Sequence, residues 1–410
     1  MPSGMILIIT RYYPIPAHDG ALQYSSQIIR LFSRLAENVC VLCQSQRKHC
    51  NTSSVSHEEF PKNVKFRIGM SQHPSILDKI FTNFPHPAIP HGTGENVARL
   101  QATLKENFSW IVVDHIGSTW AVGVLQAYKL THPTTRIIYC THNMETDARI
   151  SLLKASYNRL GVSLGSLIDI YRTRRTDRRM MLLSDIVTSI TVNDDTRHRQ
   201  VYGVRNGVIV EPMYKGRIVV NRKIDEDVPR RVCLVGSFES LAKKKNVLNF
   251  LRAATQSFTR MNIELFVVGR MDQALRDKLS SQWPTVTFTG EVAEVETYLA
   301  SCRIGIIPEA AGGGFKLKSL DYVFNRVPIF ALESAVVGLP LVPGVSIEIA
   351  SSFRNLCRTI QRYIEDFDHL NAMQRSAFDA CMRFTREDKQ EHALKETIRN
   401  LSNTGTGLHR

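Results

Sequence analysis

Short apolar runs recur along this chain, and between them the apolar residues return every three or four positions, so strand-like and helix-like segments alternate. The alternation occurs twice. In the first half the strand-like runs are MILIIT, NVCVLC, WIVVD, RIIYC and DIVTSITV, with amphipathic helices predicted from Ala21 to about Ala36 and from Thr119 to Leu130. In the second half they are VCLVGS, IELFVVG, VTFTG, RIGIIP and VPIFAL, with helices predicted over Asn246–Phe258 and Glu294–Cys302 and a mostly helical end from Ile347 to Leu401. Strands that are apolar throughout, rather than on alternate residues, belong to parallel sheets covered on both faces. The pattern predicts an α/β chain of two Rossmann-like, doubly wound parallel-sheet domains. Gln44–Asn96, with its Ser, His and Pro content, interrupts the series and is expected to hold one strand near Val64–Ile68 and a long loop.

Where the series restarts, Tyr214–Arg231 (YKGRIVVNRKIDEDVPRR) combines alternating charge with a proline and little core material, which marks a boundary. The expected organisation is a first domain over 1–213, a linker over 214–230, a second domain over 231–385, and a final helix over 386–410 that returns to the first domain before a loose tail.

The most chemically informative stretch is PEAAGGGFKLKSLDYVFNRVP, Pro308–Pro328. Gly312, Gly313 and Gly314 follow a buried strand and carry no side chains to hold a ligand off the backbone. A short helix carrying Lys316, Lys318 and Asp321 is predicted directly after them, adding first-turn N–H groups and full positive charges where phosphate oxygens can sit. Leu317, Leu320 and Phe324 recur at core spacing, while Lys318, Asp321 and Asn325 share a polar stripe. A carboxylate one turn beyond a phosphate-binding lysine can accept from two ribose hydroxyls. A glycine-rich loop before a solvated helix face is the plain alternative. No GxxxxGK[ST] occurs, and no GxGxxG follows a strand.

Composition narrows the partners. The chain has 410 residues, 43% hydrophobic and 22% charged, room for about two to three domains. Its formal charge of +14 implies an anionic partner: nucleotide, nucleic acid, acidic membrane surface or anionic glycan. The basic segment Arg159–Arg179 contributes much of that excess and suits anionic lipid, with nucleic acid and a solvated face as the other readings. No run approaches the roughly 18 apolar residues of a membrane span and MPSGMILIIT lacks signal-peptide features, so a cytoplasmic location, peripheral to a membrane at most, is expected. Eight scattered cysteines fit reduced core thiols, Cys40 and Cys43 included, and Asp194–Asp195 reads as a helix cap; no metal is assigned.

Three further places carry candidate chemistry. In GSFESLAKKKN, a strand ends at Gly236 and Lys243, Lys244 and Lys245 open a helix against its own dipole, which fits either a bound anion or a solvated charge run. In RIIYCTHNMETD, His142 lies just past a strand, at the carboxyl edge where open α/β sheets bind ligands, with a structural histidine as the other reading. Asn143 and Glu145 beside it can hydrogen-bond ligand hydroxyls, while His18, Asp19 and Gly20 after the first strand can line the facing side of a cleft; His115 competes with His142.

Over nearly its whole length the order of these motifs resembles the GT-B glycosyltransferases, specifically the large retaining family 4. The proline-containing loop and HDGA before the first helix resemble that family's N-terminal glycine loop, which approaches donor phosphates and acceptor. GGGFKLKSLD followed by VPIFAL resembles its glycine-helix-strand donor pattern, which extends donor binding to Phe315 and Leu317. The segment beginning VTFTGEV resembles its approach to the donor site, implying a nucleobase region at Gly290, Glu291 and Val292. By the same resemblance Gly236 and the three lysines take the place of a phosphate clamp, and His142 that of an active-site histidine directed at the donor sugar. The family's paired glutamates fall on Gly313 and Asp321, and glycine at the first position also occurs in members acting on bacterial surface polysaccharides. The resemblance implies metal-independent, retaining transfer from a UDP- or GDP-linked sugar to a hydroxyl of a glycan or lipid-linked oligosaccharide. No other cofactor is implied. A GT-B nucleotide-sugar epimerase and a non-catalytic nucleotide-sugar binder are the alternatives.

Overall fold

A computed structural model describes residues 4–17, 19–45, 60–70, 75, 79, 82–156, 164–239, 241–310, 314–336 and 338–404. Two compact units emerge. Of the described residues, those up to 153 with 164–213 and 387–404 make the first, and 154–156 with 214–386 make the second. Each contains one wholly parallel sheet.

The first sheet comprises β1 (Met5–Tyr12), β2 (Asn38–Gln44), β3 (Val64–Gly69), β4 (Trp110–Asp114), β5 (Arg136–Cys140), β6 (Ile186–Ser189) and β7 (Gly207–Ile209), in the order β3-β2-β1-β4-β5-β6-β7. The second comprises β8 (Arg231–Val235), β9 (Glu264–Val268), β10 (Val286–Gly290), β11 (Ile304–Ile307), β12 (Ile329–Leu332) and β13 (Glu348–Ala350), ordered β10-β9-β8-β11-β12-β13. Both orders reverse direction once, between β1 and β4 and between β8 and β11. Such switch points open a crevice at the strand carboxyl ends, because the crossovers on either side leave in opposite directions.

Helix ends follow local chemistry. Asp19 caps Gly20–Leu35 by accepting from Leu22 N at 2.8 Å, and Ile28, Ile29 and Phe32 bury the helix's inner face. Thr191 caps Val192–Tyr202, so DIVTSITV is strand only to Ser189. Asp194 and Asp195 lie in that helix's first turn rather than at the cap; Thr191 Oγ1 donates to Asp194, and Asp195 pairs with Arg199. Glu387–Thr404 belongs to the first unit, where Gln390 accepts from Glu211 N and Glu391 pairs with Arg34.

Three expectations need correction. The 214–230 stretch is structural: Ile224 is fully buried and Arg326 donates to the carbonyls of Val219 and Val220, so it belongs to the second unit. The helical end contains β13, a three-residue edge strand too short to show periodicity. Thr119–Leu130 begins as a 3-10 turn, Ile116–Ala121, before the α-helix Val122–Thr131. Among the described residues all seven cysteines are free and buried, and no group of side chains is arranged to hold a metal.

Candidate functional site

The second unit's switch point is defined by Gly236 after β8 and by Pro308–Glu309 after β11. Here strand ends meet closely. Gly269, at φ 127°, lies so near the Gly236 carbonyl that any β-carbon would collide with it, and Gly290, at φ 73°, accepts from Gly269 N at 3.0 Å. Gly236 and Gly290 thus terminate strands of one glycine-lined edge, with Glu291 exposed and Val292 half-buried beyond.

Tyr322 fixes the following helix, Lys318–Phe324, beneath this edge. Its hydroxyl accepts from Val235 N at 2.7 Å and lies 3.1 Å from Ile306 O, bridging β8 and β11. Its ring occupies the space left by Gly305, where a β-carbon would clash. Leu320 and Phe324 are buried with it, as their spacing predicts. The helix is seven residues long and starts at Lys318, so Lys316 and Leu317 precede it on a turn made by Ser319 N and Leu320 N bonding back to them. Gly314, at φ 78°, and half-buried Phe315 lead into that turn; Gly312 and Gly313 lie outside the described residues.

The lysines converge on a residue the sequence did not single out. Glu309 is buried, and its carboxylate holds Lys318 Nζ at 2.5 Å and Lys316 Nζ at 3.0 Å. Burial alone would raise its pKa, but Lys318 and then Lys316 outweigh that and hold it down to about 2. A β-carbon built on Gly236 would lie 3.9 Å from Lys318 Nζ, so one ammonium sits against the end of β8. Ala310 N donates to buried Asn246 at 3.4 Å, tying the loop after β11 to the first turns of the helix Leu241–Arg260. That helix carries Lys243 and Lys245 exposed and Lys244 half-buried. Asp321 differs from Glu309: burial, then the nearby charge of Glu296, raise its carboxyl to about 7. Only the adjacent lysines in PEAAGGGFKLK hinted at Glu309; its burial is a tertiary fact.

The first unit's switch point is organised by another carboxylate that the sequence reading passed over, Asp114 at the end of β4. Oδ2 accepts from Thr10 Oγ1 of β1 at 2.8 Å and from Ser25 Oγ of the first helix at 2.5 Å; Oδ1 contacts His142 Nε2 at 2.8 Å. Burial opposes the charge, yet His142 and the two hydroxyls keep the Asp114 pKa below its ordinary value. His142 is only 5% exposed, and its Nδ1 has no hydrogen-bond partner among the described residues. Tyr24 and His115 present ring edges to it, with centroids 4.8 and 4.7 Å away. The loop after it is pinned where Met144 N donates to Asp194.

His115 is otherwise engaged. At φ 71° it caps the 3-10 turn, its Nδ1 accepting from Gly117 N at 2.8 Å, and burial pushes its pKa well down. Glu145 pairs with Arg149 and accepts from Asn143 Nδ2, and Asp19 serves as the helix cap beside exposed Gly20. His18 lies outside the described residues. The structure thus gathers Gly236, Lys316 and Lys318 around Glu309 in one unit and sets His142 on Asp114 in the other.

The comparisons agree with this architecture. Residues 229–366 match the family model described as Glycosyl transferases group 1. No curated protein matches the chain. Among solved structures, sucrose-phosphate synthase from Thermosynechococcus elongatus superposes with a TM-score of 0.70 at 14% identity, covering 98% of this chain and 99% of that one. Anabaena Alr3699/HepE in complex with UDP and glucose gives 0.63 at 13%, covering 97% and 100%. The lipopolysaccharide outer core galactosyltransferase WaaB in its apo form gives 0.60 at 13%, covering 97% and 99%. The match to that glycosyl transferase model thus lies within the second unit, and the fold of two parallel-sheet α/β domains with C-terminal helices is shared with these solved structures.

Proposed function

We propose that this protein is a hexosyltransferase-like glycosyltransferase that moves a sugar from a UDP- or GDP-linked donor to a hydroxyl of a glycan or lipid-linked oligosaccharide in polysaccharide biosynthesis. One observation carries the reading. The matched region 229–366 contains the β8/β11 switch point, where two buried-edge ammonium groups and glycine backbone meet. The complex of Alr3699/HepE with UDP and glucose adds support for a nucleotide-sugar donor.

In this reading the diphosphate docks beside Gly236, Gly314, Lys316 and Lys318, with Lys243–Lys245 supplying further positive charge. Glu309 holds both lysines in fixed positions before the donor arrives, so little reorganisation accompanies charge growth on the leaving phosphate oxygens. Metal-independent transfer is proposed on that basis. Asp321, one turn beyond Lys318, accepts from the ribose hydroxyls in its ionised form, and Gly290–Val292 border the nucleobase. In the other unit, the buried and unpartnered Nδ1 of His142 is the atom proposed to direct a hydrogen bond to a sugar hydroxyl once the side chains over it give way, and Asp114 keeps the ring in orientation. Asp19, Gly20, Asn143 and Glu145 stand on the acceptor side. Retention of anomeric configuration is proposed from the motif resemblance, and it fits Glu309 and Asp114, which are both held by charged or hydroxyl partners.

Incubation with a panel of nucleotide sugars and a lipid-linked acceptor extract tests the proposal. Elongated product supports transfer. Isomerised donor would indicate an epimerase instead, and saturable binding without turnover a nucleotide-sugar binder, the reading that Gly313 in place of the family's first acid favours.

A further inference from the structure

The helix Leu164–Leu183 has one face in the protein and one facing out. Thr173, Thr176, Asp177, Met180 and Met181 are buried, with Asp177 accepting from Tyr139 at 2.8 Å. The opposite stripe, at i, i+3, i+4 and i+7 spacing, is apolar where a surface helix is normally polar. Leu164 is 72% exposed, Leu167 48%, Ile168 38% and Tyr171 65%. The same stripe continues through exposed Arg174, Arg175 and Arg178.

We infer that this outer face docks on an anionic lipid bilayer. Aliphatic side chains and one tyrosine on a single stripe match the boundary between headgroups and acyl chains, and arginines on the same stripe match the negative headgroups while their stems lie along the apolar surface. The net charge of +14 reinforces the attraction at a distance. A second copy fits less well, because it would bring the same net charge of +14 to the face. Nucleic acid answers to the arginines but gives three aliphatic side chains nothing to bind, since only Tyr171 can stack on a base. The sequence marked Arg159–Arg179 as basic; the structure supplies the register that puts apolar and basic residues on one exposed line. Arg159 itself lies outside the described residues. The inference is independent of the chemistry proposed above.

Flotation of the full chain with vesicles tests it. Phosphatidylcholine vesicles containing phosphatidylglycerol are expected to carry the protein upward, pure phosphatidylcholine vesicles are not, and added salt is expected to weaken the binding. Replacing Arg174, Arg175 and Arg178 together by Gln is expected to reduce partitioning about a hundredfold. Leu167→Ser with Tyr171→Ser is expected to abolish flotation, and Tyr171→Trp to give fluorescence quenched by brominated lipid. Circular dichroism and thermal melting keep folding defects apart from binding defects. The inference is overturned by wild-type protein that ignores anionic vesicles, by equal binding to neutral ones, or by a folded triple variant that floats unchanged. It is also overturned by light scattering that shows a dimer lost on Tyr171→Ser, or by a polynucleotide shift lost with the arginines, where flotation stays unaffected.

Discussion

The two strand-end clusters solve opposite problems with the same element, a buried carboxylate at a switch point. Around Glu309 the carboxylate gathers two flexible ammonium groups, leaving net positive charge at the end of β8 and β11. Around Asp114 it gathers two hydroxyls and one imidazole ring, leaving a single directional atom, His142 Nδ1. One arrangement concentrates charge, which acts over distance and is screened by salt. The other fixes a direction, which acts only at hydrogen-bond range. The glycosyl transfer proposed above would call on both kinds of group.

The largest expected effect breaks the charged half. Lys318→Ala removes the nearer ammonium, and turnover is expected to fall about 10²–10³-fold, with donor affinity measured by calorimetry falling as well. The loss of affinity should shrink at high ionic strength, where the wild-type site is itself screened. Unchanged affinity in the variant would remove the diphosphate from this site.

The directional half breaks differently. Asp114→Ala leaves Thr10, Ser25 and His142 buried without their shared acceptor, and the cost is expected to be about 3 kcal/mol, read as a lowered thermal midpoint. Asp114→Asn keeps the shape and an acceptor oxygen. It is expected to lower turnover roughly tenfold through misdirection of His142, with donor affinity and salt dependence like the wild type. A variant that loses donor affinity along with turnover would place Asp114 in the charged function instead.

How far each half was legible follows from the distances involved. Both sheets could be read from their apolar strands, since parallel strands covered on both faces leave continuous runs. Lys318 and Asp321 could be read because three residues along a helix put them on one stripe. Asp114 could not, because its partners sit 104, 89 and 28 residues away and only the fold brings them together. Glu309 could not either, because its burial beside Lys316 and Lys318 is set by the turn that follows β11. Strands β7 and β13, three residues each, are defined by pairing with a neighbour and not by any pattern of their own.

The smallest expected effect sharpens the comparison within the second unit. Glu309 is ionised down to about pH 2, whereas Asp321, on the adjoining helix, takes up a proton at about pH 7. An aspartate raised from its ordinary value binds more protons in the folded state than in the unfolded one, so its contribution to stability is greatest below about pH 4 and falls as pH rises towards 7. Asp321→Asn removes the charged form. The variant is therefore expected to be more stable than wild type at pH 8, by on the order of 2 kcal/mol, with the difference vanishing towards pH 4. Donor binding should run the other way. Ribose hydroxyls donate to a carboxylate, so wild-type affinity should rise and proton release should accompany binding as pH approaches 7, and the variant should show neither. Thermal melts and calorimetry in buffers of different ionisation enthalpy measure the two together; a variant that keeps the pH-dependent affinity would move the ribose contact to another residue.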